Sequence, residues 1–211
     1  MSQIIACKNK NGIILAADSQ AIDFDLQGQM LEHRIMRLFQ LTRSTAILTG
    51  GTAAGEKMCE ALKDFLNQEN RVDIEDVYNA TLPFLASEYE HFMRKACEYL
   101  PLDPIHQVHF ILAGYSAKAA KNPFQLYLLW TKKKLPLLDG DEIAAAYSVP
   151  RLIALEYQLN RLCQKNENLD KILQQIKDHL EKRSELSPET SAPFSFAFIT
   201  RKGFQKVQGS L

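Results

Sequence analysis

The order of the predicted elements indicates an α/β protein of the α+β kind, in which two antiparallel sheets are covered by helices on both outer faces. Two observations predict it. Strand groups and helix pairs alternate along the chain in the order strands, two helices, strands, two helices, final strands. No repeat, linker or low-complexity tract interrupts this order. We therefore expect a single domain over residues 1–211.

The first element is a predicted β-hairpin. Apolar residues 4–7 and 13–17 flank the segment Lys8-Asn9-Lys10-Asn11-Gly12, and Asn and Gly accept a positive φ at little steric cost. If the turn centres near residues 10–12, the numbers of paired residues sum to about 21 to 23 under the rule for two-residue loops. Ser2 then lies opposite residues 19–21, close to Asp18.

Later strands are predicted where β-formers or alternating patterns recur. The polar segment 19–32 is expected to be a loop with an extended stretch. The predicted strands are 34–41, 45–49, 108–115, 124–131, 142–148 and 194–200, followed by a turn at 201–204 into a short last strand. Between the two sheets we expect Ile13, Leu15, Ile47, Phe110 and Phe196.

Four segments have apolar residues at helical spacing. The first begins at about Ala53, and the second runs from the N-cap residue Asp73 to about Tyr99. Pro83 lies inside the second and should kink or break it. The third and fourth helices are predicted at 152–163 and 169–180, and the two pairs would cover opposite sheet faces.

Composition excludes several classes of function. Lys plus Arg and Asp plus Glu each number 25, so the net charge gives no electrostatic reason to expect a nucleic acid or an anionic membrane as partner. No apolar run approaches the roughly 18 residues of a membrane span, and no signal peptide pattern is present. We expect a cytoplasmic protein with reduced, buried thiols at its four cysteines, Cys7, Cys59, Cys97 and Cys163.

No metal or cofactor site is predicted. The cysteines lack zinc-type spacing. His106 and His109 are three positions apart near an extended segment, where their side chains would point to opposite faces. Gly50-Gly51 lacks the Lys-Ser/Thr pair that follows a phosphate-binding loop.

Three features together resemble proteasome β-subunits and their bacterial relatives of the HslV type. They are GIILAADSQ at 12–20, RLFQLTRSTAILTGGTAAGE at 37–56, and the spacing of sixteen positions between Ser2 and Asp18. The resemblance implies a four-layer α/β/β/α sandwich of the N-terminal nucleophile hydrolase type. It also implies a ring-shaped homo-oligomer that cleaves peptides or unfolded proteins, with an ATP-dependent unfoldase as a partner by analogy.

The resemblance assigns the nucleophile to Ser2. After removal of Met1, the α-amino group of Ser2, with an unperturbed pKa of about 7.7 to 8.0, could act as the base for its own hydroxyl. Asp18 would orient a cation, which in the family is a lysine and here, by ungapped count, is Arg34. Arginine stays protonated, so Arg34 would bias the site electrostatically. Alternatively, an Asp18–Arg34 ion pair would only hold the sheet end.

Further family positions are matched downstream. Gly51 corresponds to the glycine whose backbone N–H helps to bind the oxyanion, although a plain strand-to-helix turn is the alternative. Ser148 and Ser191 match two family serines, and Pro188 stands where the family has an aspartate. Because of Arg34 and Pro188, a catalytically silent ring or scaffold subunit is the alternative function. An amidase acting on a small amide is a third.

Overall fold

The computed structural model describes residues 3–24, 30–99, 107–131, 138–186 and 192–207. Within these ranges the chain forms twelve strands and four helices. The strands are β1 (Ile4–Asn9), β2 (Gly12–Ala17), β3 (Gln20–Phe24), β4 (Met30–Arg34), β5 (Leu38–Gln40), β6 (Thr45–Gly51), β7 (Val108–Tyr115), β8 (Phe124–Trp130), β9 (Asp139–Glu142), β10 (Ala146–Val149), β11 (Ser195–Thr200) and β12 (Gly203–Lys206). The helices are α1 (Ala54–Glu69), α2 (Ile74–Tyr99), α3 (Ile153–Gln164) and α4 (Leu169–Leu186).

The first five-stranded sheet contains the predicted amino-terminal hairpin. Its strand order is β10-β1-β2-β11-β12, and every pairing is antiparallel. Ile4 pairs with Ala17, so the numbers of paired residues sum to 21, inside the predicted range. On its other edge β1 pairs with β10, where Ile4 lies opposite Val149. The hairpin is confirmed and occupies interior positions of its sheet.

The second five-stranded sheet has the order β5-β6-β7-β8-β9, again antiparallel. The predicted strand at 142–148 is wrong, because the chain leaves one sheet after Glu142 and joins the other at Ala146. The predicted strand at 34–41 is likewise divided into β4 and β5. Alternation along a sequence does not reveal where a chain changes its pairing partner.

A separate two-stranded sheet replaces most of the loop expected at 19–32. Strands β3 and β4 pair antiparallel, with Gln20 opposite Arg34. Residues 25–29 between them, and the lysines at 132–134, lie outside the described residues. The two antiparallel five-stranded sheets with four helices confirm the α+β class. The four-layer sandwich of the N-terminal nucleophile type stays a prediction.

The helices begin within one residue of their predicted positions, but α4 continues to Leu186, beyond the predicted end at Leu180. The Asp73 carboxylate accepts a hydrogen bond of 3.1 Å from the Glu75 N–H, which is the N-cap role predicted for it. Helix α2 continues through Pro83, so a break at this proline is wrong. Buried residues on both sides of it, Ala80 and Leu85, pack in one hydrophobic cluster, and this packing offsets the lost backbone hydrogen bond. In the described part of the chain, no helix combines the length and apolarity that crossing a membrane requires.

Three hydrophobic clusters join these elements. One packs α1 and α2 on the β5–β9 sheet, one lies between the two five-stranded sheets, and one packs α3 and α4 on the β1–β2 sheet. The residues expected between the sheets divide among all three clusters: Ile13 and Leu15 lie between the sheets, Ile47 and Phe110 face α1 and α2, and Phe196 faces α3 and α4. The placement of the last three is wrong because strands buried on both faces are apolar on both.

Candidate active site

The polar site lies where β2 ends beside the start of β1. Asp18 directly follows β2, and its N–H donates a 3.0 Å hydrogen bond to the carbonyl of Gln3. The Asp18 carboxylate forms an ion pair with Arg37, with 3.2 Å between Oδ1 and Nε, and both side chains are fully buried. The residue after Ser2 is therefore hydrogen-bonded to the backbone of Asp18, whose side chain belongs to a buried pair of opposite charges.

Arg37 joins three segments of the chain at this point. Its Nη1 donates to the carbonyl of Thr49 at 3.4 Å, and its Nη2 donates to the carbonyl of Gln20. Its own carbonyl accepts from the Thr49 N–H at 2.9 Å. Because each contact uses a different atom of Arg37, the guanidinium is fixed in place and its charge is directed at Asp18.

Burial dominates the electrostatics of the pair. It raises the pKa of Asp18 to about 7, although Arg37 and the Gln3 hydrogen bond act in the opposite direction. Burial lowers the pKa of Arg37, and Asp18 and Glu56 oppose that shift. The carboxylate oxygens accept no hydrogen bond of ordinary geometry from the described residues. Asp18 can therefore gain or lose a proton near neutral pH.

The cation beside Asp18 is not the residue expected from the sequence. Arg34 is exposed and ends β4, opposite Gln20. The expected Asp18–Arg34 ion pair is replaced by the pair with Arg37. Ungapped counting fails here because the β3–β4 hairpin uses residues up to Arg34 for its own pairing. Residues 35–37 then lead the chain back to Thr49 and the second sheet. The sequence signal that could have identified Arg37 is its position at the start of the apolar run RLFQL, where a charged side chain enters a buried strand.

Gly51 ends β6 and precedes α1, as expected. Its φ is 93°, and a Cβ at this position would lie 2.1 Å from the carbonyl oxygen of Gln107, so only glycine fits. The same carbonyl accepts a 3.1 Å hydrogen bond from the Thr52 N–H. The turn thus has a structural reason for glycine, and its proposed role toward an oxyanion stays a prediction.

Ser148 lies in β10, opposite Ile5 of β1, and is fully buried. Its Oγ donates to Oε1 of Glu156 at 2.7 Å and accepts from the Leu152 N–H at 2.8 Å. Glu156 was not predicted as a site residue. From the sequence, a glutamate in the first turn of a helix is explained by its favourable interaction with the helix dipole, so it gives no signal of a site. The remaining predicted positions, Ser2, Pro188 and Ser191, lie outside the described residues.

Other chemistry-bearing groups are separate from this site. Cys7, Cys59 and Cys163 are buried free thiols, while the side chain of Cys97 lies outside the described residues. Among the residues that the structure describes, no group of three or more His, Cys, Asp or Glu side chains could hold a metal ion. A polar cavity of about 600 Å³ lies at the opposite end of the first hairpin, lined by Asn11, Asn166, Asn168, Leu169, Asp170, Phe198 and Gln205.

Two solved structures are similar to the whole described fold. Anbu (ancestral beta-subunit) from Yersinia bercovieri has a TM-score of 0.69 and 11% sequence identity, covering 97% of this chain and 86% of that chain. The Anbu (Gly-1) mutant from Hyphomicrobium sp. strain MC1 has a TM-score of 0.66 and 12% identity, covering 99% and 86%. At such identities the likeness concerns the fold.

These findings correct the family identification made from the sequence. No family model matches the chain, and no curated protein matches it. The assignment to proteasome β-subunits of the HslV type is wrong, because the similar structures are Anbu proteins, which are proteasome-like but form a distinct family. The matching motifs follow a hairpin and a strand-to-helix turn, which related folds share. The chain has the proteasome-like fold of the ancestral β-subunit proteins.

Proposed function

We propose that the chain is a single-domain hydrolase of the N-terminal nucleophile type, built as a four-layer α/β/β/α sandwich, which cleaves peptide bonds through an acyl-enzyme on Ser2. One observation supports this above the others. The backbone N–H of Asp18, whose side chain forms the buried ion pair with Arg37, donates to the carbonyl of Gln3, the residue that follows Ser2. The three hydrophobic clusters and the Anbu-like fold are consistent with the sandwich.

The first chemical step needs a free amine on Ser2. Once Met1 is removed, the neutral α-amino group takes the proton of the Ser2 hydroxyl while Oγ attacks the carbonyl carbon of a peptide bond. The role first given to Arg34 passes to Arg37. Its fixed positive charge favours the neutral form of a nearby amine and orients Asp18. Arginine moves no proton in this scheme, so the amine is the base.

The second step breaks the peptide bond. Negative charge develops on the former carbonyl oxygen, and we assign its stabilisation to the turn at Gly51 and the amino-terminal end of α1. The C–N bond then breaks, and the Ser2 ammonium returns its proton to the leaving amine. Water hydrolyses the remaining ester on Oγ and restores the hydroxyl. Ser148 and Ser191 are proposed to border this site.

Assembly and partners follow the same proposal. The Anbu structures are described as ancestral β-subunits, which favours a ring-shaped homo-oligomer for this chain. We propose peptides or unfolded proteins as substrates, an ATP-dependent unfoldase as a partner, and a cytoplasmic location.

A catalytically silent ring subunit is the second candidate function. The observation that favours it is Arg37 itself, because a fully buried arginine replaces the lysine expected of an active site of this type. In such a subunit the Asp18–Arg37 pair would only hold the ends of the sheets together. The pair would then have a structural role only, and its desolvation cost would be offset by the contacts that it makes in the fold.

The test starts from the amino terminus of the purified chain. Mass spectrometry establishes whether Ser2 is the first residue, and a chain that retains Met1 in its native cell contradicts the enzyme. The Met-free chain is then treated with a peptide β-lactone, which acylates a nucleophilic hydroxyl, and assayed with a panel of peptides and small amides. The matched variants are Ser2→Ala and Ser44→Ala, the latter at a partly exposed turn. Labelling and hydrolysis lost only in Ser2→Ala support the enzyme. An unlabelled, inactive Met-free chain supports the silent subunit.

A further inference from the structure

The Glu156 carboxylate organises the connection between β10 and α3. Its Oε1 accepts from the Ser148 N–H at 3.0 Å and from the Ser148 hydroxyl at 2.7 Å. Its Oε2 accepts from Arg151 Nη2 at 2.6 Å, and Arg151 Nε lies 2.8 Å from Oε1 and 3.0 Å from Oε2. One side chain therefore fixes both the end of β10 and the residue that begins the turn.

Glu156 is buried, with only 4% of its surface exposed. Burial alone would raise the pKa of this carboxyl, but the hydrogen bonds from Arg151 and Ser148 outweigh it, and the pKa is lowered. The carboxylate is thus ionised and saturated with donors at neutral pH. The Arg151 guanidinium lies 4.4 Å from the centroid of the Tyr147 ring, which holds the exposed side of the network in place.

This network is connected to the start of β1. Val149 pairs with Ile4 across the sheet. The Gln3 side chain donates from Nε2 to the carbonyls of Val149 and Pro150 at 3.4 Å and 3.5 Å. The Gln3 carbonyl in turn accepts from the Asp18 N–H. Gln3 is therefore hydrogen-bonded through its side chain to the segment that Glu156 fixes, and through its carbonyl to Asp18.

We propose that Glu156 is a positioning residue for the reaction at Ser2. It holds the β10–α3 connection against Gln3 at the start of β1, and the position of Gln3 in turn constrains Ser2. This inference rests on the proposed function for its catalytic consequence. Its structural part stands on the contacts of Glu156, Ser148 and Gln3 alone. The Ser148 hydroxyl then links the two parts of this network, because it donates a hydrogen bond to Glu156 and accepts one from the Leu152 N–H.

The structural part is tested by amide hydrogen exchange in the full chain. We expect Glu156→Ala to speed exchange at Ser148, Leu152 and Asp18 by about tenfold or more, because a buried acceptor is lost. The Ser116 amide, which donates to the Pro123 carbonyl at 2.8 Å in the connection between β7 and β8, should not change. Glu156→Gln retains an acceptor oxygen and should restore much of the protection at Ser148. Faster exchange at Ser148 with unchanged exchange at Asp18 would overturn the proposal, because Glu156 would then organise only its own turn.

The catalytic part is tested by steady-state kinetics on a cleaved peptide. A positioning role predicts that kcat falls about tenfold or more in Glu156→Ala while KM stays within about twofold, with partial rescue in Glu156→Gln. The control is Glu60→Gln, on the exposed face of α1. An unchanged kcat in Glu156→Ala overturns the catalytic part. If the wild-type chain cleaves nothing, the proposed function fails, and exchange at Asp18 still decides whether Glu156 positions the start of β1.

Discussion

The Nε atom of Arg37 lies 3.2 Å from Oδ1 of Asp18, and neither side chain has any exposed surface. Two charges removed from water lose hydration, which their mutual attraction only partly offsets. Taking away one partner is worse, since the other charge then stays buried without compensation. The pair therefore makes the ends of both sheets sensitive to single substitutions.

Substitution of Arg37 should destabilise the protein far more than substitution of Arg34. We expect Arg37→Met, which keeps much of the side-chain volume, to lower the free energy of unfolding by about 2 to 4 kcal/mol, because the buried carbonyls of Thr49 and Gln20 lose their donor and Asp18 loses its counter-charge. Arg34→Met removes an exposed charge and should change it by less than about 0.5 kcal/mol. Urea unfolding of both variants gives the comparison. Equal effects would contradict the assignment of Arg37 as the partner of Asp18.

Asp18 should make the stability of the protein fall with rising pH. Its pKa in the folded chain, about 7, lies above its ordinary value of 3.8, so the folded state binds the proton more tightly than the unfolded state. The resulting stabilisation is complete below about pH 4 and is lost as the pH rises through 7. Between pH 5 and pH 8 the loss should be about 2 to 3 kcal/mol.

The control for this prediction is Asp18→Asn, which keeps the size of the side chain and cannot ionise. Burial lowers the pKa of His109 and His179, and these groups contribute a slope of opposite sign in both proteins. The difference between the wild-type and Asp18→Asn curves, from urea titrations at each pH, isolates Asp18. Parallel curves would show that its pKa is not raised.

The two faces of α3 should differ in their tolerance of truncation. Leu159 is fully buried against the first sheet, whereas Tyr157 is 63% exposed. We expect Leu159→Ala to cost about 2 to 5 kcal/mol through lost contacts and a cavity, and Tyr157→Ala less than about 0.5 kcal/mol. Thermal and urea unfolding measure both. A similar cost at the two positions would contradict the orientation of α3 about its own axis, in which Leu159 faces the sheet and Tyr157 faces solvent.

Gly55 should resist a substitution that normally stabilises helices. It lies in the first turn of α1, and a Cβ there would be 2.0 Å from Thr49 Oγ1. We expect Gly55→Ala to destabilise the protein by about 1 to 3 kcal/mol through overpacking, despite the better helix propensity of alanine.

Removing the opposing atom provides the check on that clash. Thr49 Oγ1 has no hydrogen-bond partner among the described residues, so Thr49→Ala mainly creates space. The double variant Gly55→Ala with Thr49→Ala should be more stable than the sum of the single effects by about 1 kcal/mol or more. Strictly additive unfolding energies would mean that the two residues do not touch.

Local patterns were sufficient for the elements whose signals are local. The first hairpin was predictable because a short polar segment lies between two apolar runs, and the observed register, which sums to 21 at Ile4 and Ala17, falls inside the predicted range. The four helices were predictable from their spacing and from the cap at Asp73. These features depend on residues that are neighbours in the sequence.

Features that depend on distant contacts were not predictable in the same way. Ile47 and Phe196 are apolar residues in strands buried on both faces, so periodicity does not distinguish the inner face from the outer one. The change of sheet after Glu142 leaves no local signal. Arg37 gains its role only when the chain returns to Asp18 after the β3–β4 hairpin, and Glu156 only when α3 packs against the end of β10 at Ser148.

The interior position of β1 in its sheet has a consequence for synthesis of the chain. Its two neighbours are β2, which follows it at once, and β10, whose Val149 pairs with Ile4 and is synthesised much later. On the ribosome, β1 emerges before β10 and must wait with an unpaired edge until β10 has left the exit tunnel. Translation that stalls before that point would expose an apolar edge to other nascent chains, so a holding chaperone should bind the early segment longest.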